Sequence, residues 1–259
     1  MLVISVVSLK GGVGKTSVTL GLAGAAAARA LSTLVVDLDP QANATTALDP
    51  ESVPYTSNDV LADARPGVVG DAVVQSGWSR YVGLVASEPA LELRNTPEGD
   101  GTLRLRTALS GVSGYDLVMV DSPPSLGELT RNGLYAADAA LVVTEPSLFA
   151  LQGAQQALDA VDVVRRSGHL VLQPAGIVVN RMRPTTEHRF RVSELEQTYG
   201  GLVLQPPMPD RTAVTQAAGS CLPVQQGSSK GAREVSAIFD TYLDAILARV
   251  AAPAERMTP

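Results

Sequence analysis

The chain of 259 residues holds one cysteine and two histidines, and aromatic side chains make up 4% of it. A single thiol, Cys221, excludes an intramolecular disulfide and any Cys-x-x-Cys metal site within one chain. It also excludes a four-thiolate iron–sulfur cluster, because even a symmetric dimer would gather too few thiols. The histidines, His169 and His188, lie far from the motifs in sequence and are read as surface residues. No Ser/His/Asp or Cys/His constellation offers nucleophilic catalysis. No run of about 18 apolar residues exists, so no bilayer-crossing helix is expected. The N-terminus enters an apolar segment directly, without a basic stretch and cleavage site, which reads as a soluble cytoplasmic protein. Hydrophobic residues make up 45% of the chain, so with few aromatics the core must be Val, Leu, Ile and Ala. That composition suits a parallel sheet covered by Ala-rich helices. The net charge of −6 argues against a uniformly nucleic-acid-coated surface and leaves room for a local basic patch.

What is present is alternation. Short apolar runs at Leu2–Ser8, Leu34–Asp37, Tyr81–Ala86, Leu117–Asp121, Ala140–Thr144, Ala175–Asn180 and Leu202–Leu204 read as strands. Between them Ser17–Ala30, Gly101–Leu109, Glu128–Ala136, Leu151–Arg166 and Glu187–Tyr199 read as helices, with a last one near Ala232–Val250. Asp49–Arg80 reads as loops with a short helix. Strands alternating with helices imply right-handed crossovers and an α/β fold with a doubly wound, mostly parallel sheet flanked by helices. Residues 1–259 are expected to form a single domain. The last helix carries Val235, Ile238, Phe239, Tyr242, Leu243, Ile246, Leu247 and Val250 on one stripe. Its other side bears Glu234, Asp240 and Asp244 against Arg233 and Arg249, not the Lys/Arg-rich face of an interfacial anchor.

The chemistry concentrates at Ser8–Ser17, Ser-Leu-Lys-Gly-Gly-Val-Gly-Lys-Thr-Ser, set between the first strand and the first helix. Strand, glycine-rich loop, Lys-Thr and helix make a cradle for the phosphates of a nucleoside triphosphate. Gly11, Gly12, Val13 and Gly14 supply the loop, Lys15 reaches the β- and γ-phosphates, and Thr16 offers its hydroxyl to Mg²⁺, with Ser17 following. The pattern G-x-x-x-x-G-K-[ST] wants glycine at position 9, where this chain has Leu9, and a second lysine, Lys10, stands at the loop's entrance. Two strand ends supply carboxylates. In Val36-Asp37-Leu38-Asp39-Pro40-Gln41, alternation puts Asp37 and Asp39 on one side. Asp39 is a candidate for the metal and the attacking water; Asp37 either joins it or only orients the loop by hydrogen bonds. Leu117–Val120 ends in Asp121, the Walker B arrangement in which a carboxylate holds the magnesium shell.

Lys10–Thr16, Val36–Thr45 and Val120-Asp121-Ser122-Pro123-Pro124-Ser125-Leu126-Gly127 together resemble the ParA/Soj-type partition ATPases of the deviant Walker group, which also holds MinD. Glu145-Pro146, Ala150–Gly153, Val179-Asn180-Arg181 and Pro209-Asp210-Arg211 extend the resemblance over nearly the whole chain. It implies a P-loop ATPase with ATP and Mg²⁺ as cofactors, working as a homodimer with ATP sandwiched between subunits. Lys10 resembles the signature lysine that crosses to the partner's phosphates. Asp39 resembles the residue that positions the hydrolytic water, Asn180 the adenine-contacting asparagine, and Pro209–Asp210 the loop bordering the base. Ser122 stands where cysteine or threonine is commoner. No N-terminal helix-turn-helix extension precedes the loop, which favours the short form that binds DNA without sequence preference.

The resemblance further implies nucleoid association and a ParB-like activator that stimulates hydrolysis, in chromosome or plasmid partition. Arg181, Arg183, Arg189 and Arg191, opposed in their segment by Glu187, with Lys230 and Arg233 opening the last helix, are the candidate phosphate contacts for nonspecific DNA. Two alternatives remain: a MinD-like membrane-site protein, against which the acidic last helix argues, and a relative positioning a protein cargo.

Overall fold

The computed structural model describes residues 1–96 and 101–252. Its strands are β1 (Leu2–Val7), β2 (Thr33–Asp37), β3 (Val73–Gln75), β4 (Val82–Val85), β5 (Leu117–Asp121), β6 (Ala139–Thr144) and β7 (Gln173–Val179). They form one sheet in the order β3-β4-β2-β5-β1-β6-β7. Every pairing is parallel except β3 with β4, an antiparallel edge. The helices are α1 (Lys15–Ala28), α2 (Asn43–Leu48), α3 (Ser57–Asp63), α4 (Val69–Ala72), α5 (Arg104–Leu109), α6 (Glu128–Ala136), α7 (Ala150–Arg166), α8 (Thr186–Tyr199), α9 (Thr212–Gly219) and α10 (Lys230–Ala251).

Alternation along each strand divides the core into two layers. Ile4, Val6, Val35, Met119, Leu141 and Val143 pack on one face with α1, α2 and α10. Val3, Val7, Leu34, Val36, Val118, Val120 and Val142 pack on the other with α3 and α5–α8. Because both faces are covered, the strands are apolar at nearly every position, as a parallel sheet requires. The apolar stripe of α10 lies against α1: Val235, Phe239, Tyr242 and Ile246 are buried. Gly21 of α1 makes room for the Phe239 ring, since a Cβ there would fall 2.1 Å from its Cζ. Arg29, at the end of α1, pairs with Asp244 and Asp240 of α10.

Three expectations need correction. Leu202–Leu204 is not a strand: a 3₁₀ turn at Gly200–Leu202 leads to one isolated bridge, Val203 with Ile177. Leu204 N donates to Ile177 O and Met208 N to Val179 O, but Pro206 and Pro207 between them have no N–H to continue a ladder. Asp49–Arg80 holds two helices, α3 and α4, and the edge strand β3. His169 is buried, not on the surface. Its Nε2 lies 2.7 Å from Ala137 O and its Nδ1 3.0 Å from Arg106 Nη1, so one ring nitrogen donates and the other accepts. His188, at the start of α8, is half-buried, and its Nδ1 accepts from Arg183 N.

Among the described residues, no helix is long and apolar enough to cross a membrane.

Candidate functional site: a phosphate loop facing two strand-end carboxylates

The loop between β1 and α1 takes two left-handed turns, at Gly12 with φ +81° and at Gly14 with φ +93°. A side chain at Gly14 would be strained twice, by its φ and by Asn180 Nδ2, which would stand 2.3 Å from a Cβ. Asn180 is the brace of the loop: its Nδ2 donates to Val13 O at 2.7 Å. Val13 itself is buried, anchoring the loop in the core. α1 then opens directly on Lys15 and Thr16, with Val18 N donating to Gly14 O as its first turn closes.

Lys15 is 6% exposed, and burial pushes its ammonium below the ordinary lysine range, opposed by the charges of Asp121 and Asp39. Thr16 Oγ1 donates to Asp121 Oδ2 at 2.7 Å, and one turn on, Thr19 Oγ1 donates to Oδ1 at 3.1 Å. Asp37 and Asp121 sit opposite each other on adjacent strands. Both are fully buried, and burial holds each above the usual carboxylate range; the charge of Asp121 adds to the rise at Asp37, while Thr16, Lys15 and Thr19 oppose it at Asp121.

Asp39, also buried, lines a cleft of about 500 Å³ together with Gly12, Gly14, Lys15, Thr16 and Ser17. Its Oδ1 accepts from Gln41 N at 3.0 Å, while Oδ2 accepts no hydrogen bond among the described residues. Away from the loop the cleft turns apolar, between Leu20, Ala47, Trp78, Val214, Ala217, Leu222 and Phe239. The structure therefore brings together Gly12, Gly14, Lys15, Thr16, Ser17 and Asp39 around one cavity, with Asp121 fully buried behind Thr16 and bonded to it. A Cβ at Gly11 would meet only Pro124, which lines the same cleft, among the described residues.

Other candidates lie elsewhere. Pro209 and Asp210 are absent from the cleft wall; Pro209 bridges to Met182, and Asp210 pairs with Arg183 at 2.8 Å. The Asn180 amide is committed to the loop backbone. Arg181, at φ +57°, is the residue of that segment that faces the cleft. Lys10 is exposed at the loop entrance and pairs with Glu145, just past the end of β6.

The arginine segment is more neutralised than its sequence suggests. Arg191 pairs with both Glu187 and Glu194 of α8, Arg183 with Asp210, and Arg211 with Glu234. Arg189 donates to Pro184 O, and Arg233 to Ser228 O. Of the candidate cations, Arg181, Arg189, Lys230 and Arg233 are in no ion pair among the described residues.

Hard oxygen donors, a threonine hydroxyl and two carboxylates beside a buried lysine, fit a nucleotide phosphate chain and Mg²⁺. Among the described residues, no group of three or more His, Cys, Asp or Glu side chains forms a metal cage. That too suits Mg²⁺, which takes one or two protein oxygens and completes its shell with water and phosphate. Sequence reasoning overlooked Thr19, Thr45, Ser57, Ser87 and Glu145. Thr19 had a signal, since it follows Thr16 at helical spacing; the partners of the serines are set only by strand order.

A family model described as an AAA domain matches residues 1–173. The chromosome partitioning protein ParA of Myxococcus xanthus is 33% identical over 183 residues, 68% of this chain and 64% of that relative, so the match spans less than two thirds of its length. The sporulation initiation inhibitor protein Soj of Bacillus subtilis is 30% identical over 203 residues, 76% of this chain and 79% of Soj. Among solved structures, cobyrinic acid a,c-diamide synthase from Mycobacterium smegmatis with bound ADP and magnesium is 28% identical, with a TM-score of 0.75 over 93% of each chain. The sheet, the loop with its second lysine, the opposed carboxylates and these matches agree that the chain belongs to the AAA-domain family and, within it, to the ParA/MinD superfamily of ATPases.

Proposed function

We propose that this chain, residues 1–259 acting as one unit, is a ParA-type partition or positioning ATPase that binds ATP with Mg²⁺ and dimerises around it. The observation that carries this reading is the meeting of Lys15, the Thr16–Asp121 pair and Asp39 on one cleft at the phosphate loop. Lys15 places its positive charge on the β- and γ-phosphates, and burial strengthens that contact by excluding water. Thr16 and Asp121 hold the metal. Mg²⁺, when bound, supplies charge neutralisation at the phosphate oxygens. Asp39 presents its uncommitted Oδ2 to a water, orients it and receives its proton. Lys10 acts across the dimer. An in-cis phosphate ligand has no reason to stand exposed at the loop entrance, and its pairing with Glu145 keeps it extended at that surface.

The ATP-bound dimer is further proposed to bind nucleoid DNA nonspecifically in the cytoplasm and to release it when a ParB-like partner stimulates hydrolysis. Arg181, Arg189, Lys230 and Arg233, in no ion pair among the described residues, are the candidates for DNA phosphates, and dimerisation doubles them. A DNA titration with ATP, with ADP and without nucleotide tests this. Binding that is strongest with ATP and weakens steeply with salt supports it. Equal, salt-insensitive binding in all three overturns it. A membrane site is disfavoured by α10, whose apolar stripe is spent on α1.

A further inference from the structure

The loop after β2 carries Asp39, and its conformation is imposed from outside by residues with no place in the phosphate cradle. Asp37, at the end of β2, is the hub. Its Oδ1 accepts from Asp39 N at 3.0 Å, and its Oδ2 accepts from both the backbone N, at 2.9 Å, and the Oγ1, at 2.8 Å, of Thr45 in α2. Thr45 Oγ1 in turn accepts from Ser87 N at 2.8 Å. Ser87, just beyond β4, closes the circuit: its Oγ donates to Asp39 O at 2.7 Å. Ala42 N donates to the same carbonyl at 2.8 Å. Ser57, at the start of α3, ties the end of β2 to the end of β4 by donating to Asp37 O and Ala86 O.

The backbone of Asp39 is thus held at both its N–H and its C=O, and its carboxylate is turned by Gln41 N–H. Every link is buried or half-buried, where a hydrogen bond excludes its alternatives most strongly.

We infer that Thr45 and Ser87 are positioning residues for hydrolysis: with Asp37 they form an anchor that fixes Asp39 in the cleft before nucleotide arrives. This rests on the proposed role of Asp39. Thr45 is its centre, because one hydroxyl donates to Asp37 and accepts from Ser87. Valine has the same shape and neither capacity. Serine retains both.

The test compares T45V, T45S and S87A with D39N as reference, reading amide hydrogen exchange in nucleotide-free protein and steady-state hydrolysis. T45V is expected to speed exchange at Ser87 and across residues 39–45 and to lower kcat about tenfold or more, with KM for ATP within about twofold, as a misplaced catalytic group does. T45S is expected to restore both readouts, and S87A to show the same pattern more weakly. Unchanged exchange and kcat in T45V, beside a D39N variant that no longer hydrolyses, would overturn the anchor while leaving Asp39 in its role. So would a T45S variant as impaired as T45V. A D39N variant that hydrolyses at the normal rate would overturn the role of Asp39, and the anchor's purpose with it.

Discussion

Asn180 changes meaning between sequence and structure. The resemblance implies a contact for adenine; in the structure the residue also braces the phosphate loop, its amide donating to Val13 O at 2.7 Å. Asn180→Ala is therefore expected to loosen the loop and weaken ATP binding about fivefold, with guanine and adenine nucleotides losing affinity alike, since one buried hydrogen bond of this kind contributes about 1 kcal/mol. Titration with fluorescent ATP and GTP analogues would check it; loss confined to ATP would restore the base-reading role. The carboxylates carry a pH signature. Burial raises Asp37 to about 7 and Asp121 to about 6 in the metal-free fold. A carboxyl whose folded value is raised binds its proton more tightly when folded. Its contribution is full below the ordinary carboxylate range and is lost as pH rises through the folded value. Metal- and nucleotide-free protein is thus expected to have a higher urea midpoint near pH 5 than near pH 7.5, a gap that MgATP narrows. A midpoint that rises with pH would contradict it.

The elements were legible where a period had room to show itself. Glu128–Ala136 is α6 to the residue, and α7, α8 and α10 differ from their expected ends by one or two positions. The three- to eight-residue pieces α2, α3, α4, α9 and β3 were not, beyond one short helix expected within Asp49–Arg80, because so few residues give no amphipathic period to read. Leu202–Leu204 shows the reverse error: three apolar residues carry a strand's composition but sit between a Gly-Gly pair and a Pro-Pro pair that deny them a ladder. The catalytic motifs were legible because each is contiguous. The anchor around Asp39 was not, because Asp37, Thr45 and Ser87 meet only once β2 and β4 lie side by side. At this scale the α1–α10 seam sets stability. Phe239 is 1% exposed, with its ring against Gly21. Phe239→Ala is expected to cost about 3–5 kcal/mol in denaturant unfolding. A loss under about 1 kcal/mol would mean that the seam repacks or matters little.

For the whole molecule, the phosphate loop carries two lysines in unlike surroundings. Lys10, at the start of the loop, is exposed and pairs with Glu145, while Lys15, at its end, is buried. A monomeric ATPase needs only the second of these. Leu148 and Phe149, just before α7, are exposed apolar area of the kind a second subunit covers. The central claim is that Lys10 makes nucleotide binding a dimerisation switch. The most direct test is the light-scattering mass of the wild-type chain and of Lys10→Ala with Mg²⁺ and a non-hydrolysable ATP analogue, and with ADP. The 26.9 kDa chain should double its mass with the ATP analogue alone. Lys10→Ala should bind the analogue and stay monomeric. A Lys10→Ala protein that dimerises normally, or a wild-type chain that stays monomeric when saturated with the analogue, would contradict the account.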